Sequence, residues 1–407
     1  MTMRLNPNTG DSVSVLGYGC MRWPMKKDSE GKDVFDQDAI NDLVDYAIAH
    51  GVNYFDTAPV YGQGLSEKVT GIALSRHPRD KFFVATKLSN FSNSTRENSI
   101  AMYEASFREL GVDYIDYYLL HSINGYNDGF RNRFENNGMM EFLLEERRAG
   151  RIRNLGFSFH GSEKGMDELL ELHEKYHWDF VQIQSNYVDW RLAGGRNGGA
   201  EYLYNALAAK GIPVVIMEPL LGGRLSKVPE NIVARLKGRE PEKSTASWAF
   251  RFAGSPEGVL TVLSGMTYME HLEDNVKTYS PLHPCTDEEN EFLMETAQLI
   301  KNYPTIPCND CKYCMPCPYG IDIPAVLLYY NRRVNESAIP TDSQSPSYRR
   351  ARKAFLDGYD KAVPALRRAD HCIGCRTCTE HCPQNIDIPR ELHRIDEYVE
   401  KLKQDKL

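Results

Sequence analysis

The chain has 407 residues, 42% hydrophobic and 26% charged, the balance of a globular protein with more chain than one average domain needs. A formal charge of −8 argues against nucleic-acid binding. No window approaches the roughly 20 apolar residues of a membrane span, and the opening Met1-Thr2-Met3-Arg4-Leu5 lacks a signal-peptide core, so the expectation is a cytoplasmic protein.

The first segment, Arg4 to Asp11, is rich in turn residues and predicts a hairpin across a barrel floor. Apolar runs then recur at Val13–Cys20, Val52–Thr57, Phe82–Lys87, Tyr114–His121, Asn154–Ser158, Phe180–Ser185, Pro213–Glu218 and Val259–Gly265. Amphipathic stretches separate most of them. In Asp38–Ala49, for instance, Ala39, Ile40, Leu43, Val44, Ala47 and Ile48 share a helical face. Near-continuous apolar strands between helices imply a parallel sheet covered on its outside. Eight such units favour a closed (β/α)8 barrel over an open sheet. The loops 21–33 and 122–137 are where such a barrel would set specificity, with Trp23 and Tyr126 as mouth-lining or simply packed aromatics.

Near Ser280 the pattern changes, which divides the chain into a barrel, 1–280, and a mostly helical domain, 281–407. Prolines 281, 284, 304 and 307 punctuate a helical stretch, Asp287–Lys301. An internal repeat follows: Cys317-Pro318-Tyr319-Gly320-Ile321-Asp322-Ile323-Pro324 matches Cys382-Pro383-Gln384-Asn385-Ile386-Asp387-Ile388-Pro389 at six of eight positions. Each copy leads into a predicted helix, since proline is tolerated in a first helical turn. The polar stretch 337–347 between them reads as a loop.

Eight of the ten cysteines fall in two runs. Cys372-x2-Cys375-x2-Cys378-x3-Cys382-Pro383 is the bacterial ferredoxin spacing, in which the fourth cysteine serves the other cluster. The first run, Cys308-x2-Cys311-x2-Cys314-x2-Cys317-Pro318, is one residue short in its last gap. Soft thiolates suit iron-sulfur chemistry. We therefore expect one 4Fe-4S cluster on Cys308, Cys311, Cys314 and Cys382, and another on Cys372, Cys375, Cys378 and Cys317. Zinc is the alternative, but it more often pairs two short motifs across a longer gap. Cys20 and Cys285 read as ordinary thiols.

In such a barrel, chemistry sits at the C-terminal ends of the strands. Polar residues stand there: Asp56 with Tyr61 after it, Lys87, and His121. A phenol with a pKa near 10 is a poor proton donor at neutral pH, and a nearby ammonium lowers it. A carboxylate can hold that ammonium, and an imidazole can orient a carbonyl. The set makes a general-acid site for carbonyl reduction, with hydride arriving at carbon and Tyr61 protonating oxygen. Taken singly, each has an ordinary alternative: a loop-capping aspartate, a solvated lysine, a packed tyrosine, an interior histidine.

Asn53-Tyr54-Phe55-Asp56-Thr57-Ala58-x2-Tyr61-Gly62, with Ser66-Glu67 after it, resembles the aldo-keto reductase signature. So do Ala85-Thr86-Lys87, Asp113 to His121 and Ile152 to Ser158. The resemblance covers about Val13 to Asn275, and the tail is similar to a two-cluster ferredoxin module, as in the iron-sulfur branch of that family. It implies Tyr61 as the acid, assisted by Asp56, Lys87 and His121, and NADPH or NADH as hydride source without a Rossmann fold. Ser158 and Gln182 match positions that hold the nicotinamide amide. Pro219, Leu220, Gly222 and Leu225 fit the loop over the pyrophosphate. Gly265, Met266, Asp274 and Asn275 fit the adenosine end. Phe159, Met217 and Glu218 depart from the family's usual asparagine, aromatic and serine, and His271 stands where a basic or amide side chain often meets the 2′-phosphate.

Hydride transfer moves two electrons, whereas a 4Fe-4S cluster passes one, and a flavin is the usual splitter. No separate flavin motif is evident in the sequence. Three readings follow: a carbonyl reductase acting on a small molecule with structural or docking clusters; an electron-transfer reductase fed by a ferredoxin-like partner through the clusters to a flavin or substrate; and a non-enzymatic redox sensor or ligand-binding protein.

Overall fold

The computed structural model describes residues 1–127, 129–194 and 197–407; Asp128, inside the candidate loop 122–137, lies outside them. Eight parallel strands close into a barrel in chain order: Leu16–Gly19, Tyr54–Asp56, Phe83–Leu88, Ile115–Ile123, Ile152–Phe159, Phe180–Gln184, Val214–Met217 and Val259–Ser264. The eighth pairs with the first through Val262–Leu16, Leu263–Gly17 and Ser264–Tyr18, which shuts the cylinder. Each apolar run read from the sequence becomes one barrel strand, so the (β/α)8 expectation stands.

The strands are almost wholly buried because they pack inward on one another and outward on helices. Closure demands a glycine: a Cβ at Gly17 would fall 2.8 Å from Thr261 Oγ1 and 2.9 Å from Leu263 Cδ2. Inside, Tyr54, Tyr117 and Phe180 pack at centroid distances of 4.9 and 5.1 Å. The hairpin Met3–Leu5 with Ser12–Ser14 crosses this end. Its Asn6 donates to Tyr117 Oη at 3.0 Å and Asn154 Oδ1 at 3.3 Å, near the starts of strands four and five. Bulky side chains thus fill one end and leave the polar strand ends at the other.

The helix Gln37–Ala49 shows how the outer layer forms. Asp36 caps it by accepting from Ala39 N at 3.4 Å, and Ile40, Leu43, Val44 and Ala47 are buried at helical spacing. Each large aliphatic side chain so buried contributes about 1.5–3 kcal/mol.

The described chain forms two compact units, each assembled from separate stretches. One comprises Met1–Arg191, Asn197–Pro219 and Ser247–Asn290, and holds the barrel strands. The other comprises Leu192–Arg196, Leu220–Ala246 and Glu291–Leu407. The second unit is helical, its core built by Ile323–Asn335, Tyr348–Ala362 and Ile388–Lys403 around Leu327, Phe355, Tyr359 and Ile395. The sequence repeat is a structural repeat: Asp322 and Asp387 each cap a helix, accepting from Ala325 N at 3.2 Å and Arg390 N at 3.4 Å, with a proline in each first turn. No helix among the described residues is long and apolar enough to cross a membrane.

Candidate functional site

Asp56 ends the second barrel strand, Tyr61 opens the turn that follows, Lys87 lies near the end of the third strand and His121 near the end of the fourth. The structure brings these four side chains together. Lys87, completely buried, donates from Nζ to Asp56 Oδ1 at 2.6 Å and to the carbonyl of Thr57 at 2.7 Å. An ammonium without water persists only with such partners. The same Nζ lies 4.9 Å from the Tyr61 ring centroid. Tyr61 and His121 meet edge to face at 5.8 Å. Burial raises the Asp56 carboxyl above its ordinary value, with the Lys87 charge opposing; its Oδ2 has no hydrogen-bond partner.

His121 is held well below the usual imidazole range, first by burial and then by the charges of Lys87 and Arg133, so the ring is neutral at pH 7. Its Nδ1 is 2.6 Å from Ser89 Oγ. If that hydroxyl donates, the ring proton sits on Nε2, which becomes a hydrogen-bond donor. Sequence reasoning missed two residues here. Ser89 lies two positions beyond Lys87, the spacing of one strand face. His160 follows the fifth strand directly; burial pushes it down to about 4, its Nδ1 is buried without a partner, and its charge when protonated would oppose that of His121. Trp23 and Tyr126 are engaged in packing: Trp23 Nε1 donates to Thr70 Oγ1 at 2.9 Å and Tyr126 Oη to Glu135 at 2.6 Å.

The residues matched to nicotinamide contacts sit on adjacent strands. Ser158 Oγ accepts from the Ser122 amide at 2.8 Å, leaving its hydroxyl proton to donate elsewhere. Gln182, paired with Ser158 in the strand register, directs Nε2 to Met217 Sδ at 3.3 Å, and its Oε1 is buried with no partner. An orphaned acceptor beside a hydroxyl donor fits a carboxamide, which offers one group of each kind. At the end of the eighth strand, Tyr18 Oη donates to the Met266 carbonyl at 2.5 Å and Asn275 Nδ2 to Ser264 Oγ at 3.0 Å. Gly265 and Asp274 belong to the same unit, as does Pro219, whereas Leu220, Gly222 and Leu225 fold with the second.

In the second unit, Cys308, Cys311, Cys314 and Cys382 line one cavity, walled by Asn309, Lys312, Ile323, Pro324, Leu327, Ile386 and Ile388. Cys382 reaches it from the other cysteine run. The Cys378 thiol feels Cys317 and Cys372 as neighbours, so Cys317 crosses to the second run despite the short gap before it, while Cys375 is exposed. Burial pushes the Cys308 thiol up to about 11, and burial with three or more neighbouring thiols raises Cys314 further. Four thiolates in an apolar cavity repel one another unless a cationic centre neutralises them, which fits an iron-sulfur cluster. The backbone supports the same fit. Asp310 and Lys312 adopt φ of +55° and +63°, and Gly374 and Arg376, at the equivalent places in the second run, +74° and +64°. Left-handed turns between the cysteines cost of order 1–3 kcal/mol each in non-glycine residues, and their repetition in both runs marks them as part of the site.

The aldo/keto reductase family model matches residues 15–296, and a 4Fe-4S dicluster domain model matches residues 307–388. A probable aldo-keto reductase 1 from Glycine max is 31% identical over 183 residues, 43% of this chain and 49% of that protein, so the chain spans about half the length of this relative. L-galactose dehydrogenase from Arabidopsis thaliana is 25% identical over 320 residues, 74% of this chain and 94% of that one. An aldo/keto reductase structure from Klebsiella pneumoniae in complex with NADP and acetate is alike in fold, with a TM-score of 0.57 and 21% identity over 74% of this chain and 96% of that chain. With one family model running through all eight barrel strands and a second spanning both cysteine runs, the chain belongs to the aldo/keto reductase family and carries a 4Fe-4S dicluster domain at its C-terminal end.

Proposed function

We propose that this chain reduces the carbonyl of a small molecule with NADPH or NADH, and that its second unit holds two 4Fe-4S clusters. The observation that carries the reading is the buried Lys87–Asp56 pair beneath the Tyr61 ring, with a neutral His121 against the same ring. The nicotinamide supplies hydride when bound; NADP is present in the Klebsiella structure. The chain's own residues do the rest. Lys87 stabilises the Tyr61 phenolate, so the phenol gives its proton more readily to the carbonyl oxygen as charge develops there. Asp56 keeps Lys87 charged and in place. His121 donates a hydrogen bond that orients the carbonyl. Ser158 and Gln182 hold the carboxamide, and Pro219, Leu220, Gly222, Leu225, Gly265, Met266, Asp274 and Asn275 contact the remainder of the nucleotide.

A second reading has the clusters feed single electrons from a ferredoxin-like partner to a flavin or substrate at the mouth. The closeness of the two cysteine sets favours it: Cys314, of one, feels the Cys378 thiol, of the other. Anaerobically purified full-length protein separates the readings. Iron and sulfide near eight each per chain, no flavin, and NADPH consumption with simple aldehydes support the first. A bound flavin, or turnover only with a one-electron donor, supports the second.

A further inference from the structure

Beyond Pro219, at the end of the seventh barrel strand, the chain folds with the cysteine unit: Leu220–Ala246 belongs to it. Within that unit Gly222 presses on the first cysteine run. A Cβ on Gly222 would lie 2.5 Å from the Cβ of Asn309 and nearer still to its backbone, and its φ is +67°. Asn309, directly after Cys308, is 3% exposed. The next residue, Gly223, has φ +93° yet would place a Cβ in open space. A second tie lies close by: Arg224 Nη2 donates to Thr305 Oγ1 at 3.0 Å, just ahead of Cys308.

We propose that this contact is a latch, in which the cysteine run, once wrapped on its cluster, holds the 220–225 loop in its folded conformation and thereby sets the affinity for the nucleotide pyrophosphate. The nucleotide part rests on the function proposed above. Without a centre to bind, the backbone cost of the left-handed turns at Asp310 and Lys312 is no longer offset by thiolate ligation, and the run relaxes. Asn309 then withdraws. The loop, with Leu221 itself at φ +50° and two glycines after it, loses the surface on which it is moulded and regains conformational entropy. Nucleotide binding must then reorder it, and affinity falls with the fraction of chains already ordered.

The test uses full-length, cluster-loaded protein prepared without oxygen. Gly222→Ala and Gly223→Ala both force a side chain into a left-handed residue, but only the first meets Asn309. Iron per chain, amide hydrogen exchange of residues 219–226 and NADPH affinity are measured for both, and for Cys308→Ser. The latch predicts that G223A, strained in the loop but clear of Asn309, keeps wild-type iron, whereas G222A loses about half its iron. In G222A and C308S alike, loop exchange and the NADPH dissociation constant rise about tenfold or more. Wild-type iron in G222A, equal loss of iron in both glycine variants, or unchanged exchange in C308S overturns the proposal. Should exchange respond as expected while NADPH binds no form, wild type included, the latch stands and the nucleotide reading fails instead.

Discussion

The barrel mouth and the cysteine cavity solve the same problem, buried charge, in opposite ways. At the mouth the counter-charge is internal: Lys87 finds Asp56 and the Thr57 carbonyl within 2.7 Å. In the second unit four thiols share a cavity whose other walls are five aliphatic and proline side chains, Asn309 and a single cation, Lys312, too little charge to neutralise four thiolates without a bound centre. The first arrangement is preorganised by the chain alone. The second is a demand for a ligand, and its stability is coupled to that ligand.

Removing iron should break this contrast most visibly. A chelator, or acid followed by oxygen, is expected to melt the helical unit while the barrel keeps a cooperative unfolding transition. Circular dichroism would record loss of helix with the barrel's transition retained; a single unchanged melt in both states would contradict it. Next in size is Lys87→Met, which leaves the Asp56 carboxylate buried alone and should cost about 3–5 kcal/mol, less whatever protonation of Asp56 relieves. Asp56→Leu in the same chain should recover much of that. Denaturant titration of the single and double variants gives the answer, and additive losses would mean the pair is not the counter-charge we describe.

The most gradual effect is in pH. His121 and His160 are held neutral, His160 down to about 4, whereas unfolded histidines take protons below about 6.5. Between those values the unfolded state binds more protons, so stability present above pH 6.5 is lost as pH falls toward 4, by at most about 1.4 kcal/mol per pH unit for each ring. His160→Gln should flatten this slope in urea titrations from pH 7 to 4. An unchanged slope would mean His160 titrates normally.

How much of this was written locally in the chain differs between the two units. The mouth was legible because Asp56, Lys87 and His121 each interrupt an apolar run at its end, where a barrel places its chemistry. Ser89 was legible in principle by strand spacing from Lys87, and His160 by its place at a strand end, but the fifth apolar run reads as ending at Ser158, whereas the strand continues through Phe159. Cysteine spacing revealed the crossed runs. Their left-handed turns were half visible: Gly374 signals such a turn, whereas Asp310, Lys312 and Arg376 carry little such preference and adopt it only because the site requires it. That Leu220–Ala246 folds with the cysteine unit had no local signal at all. Gly222 meets Asn309 far along the chain, and a contact of that kind is set by tertiary packing.

The most direct measurement is single-turnover reduction of an aldehyde by NADPH in Tyr61→Phe beside wild type, both with full iron content. A proton-donating Tyr61 predicts a rate lower by about 10²–10⁴ with NADPH affinity kept. Equal rates in the two proteins, or reduction that proceeds only with a one-electron donor, would contradict the account.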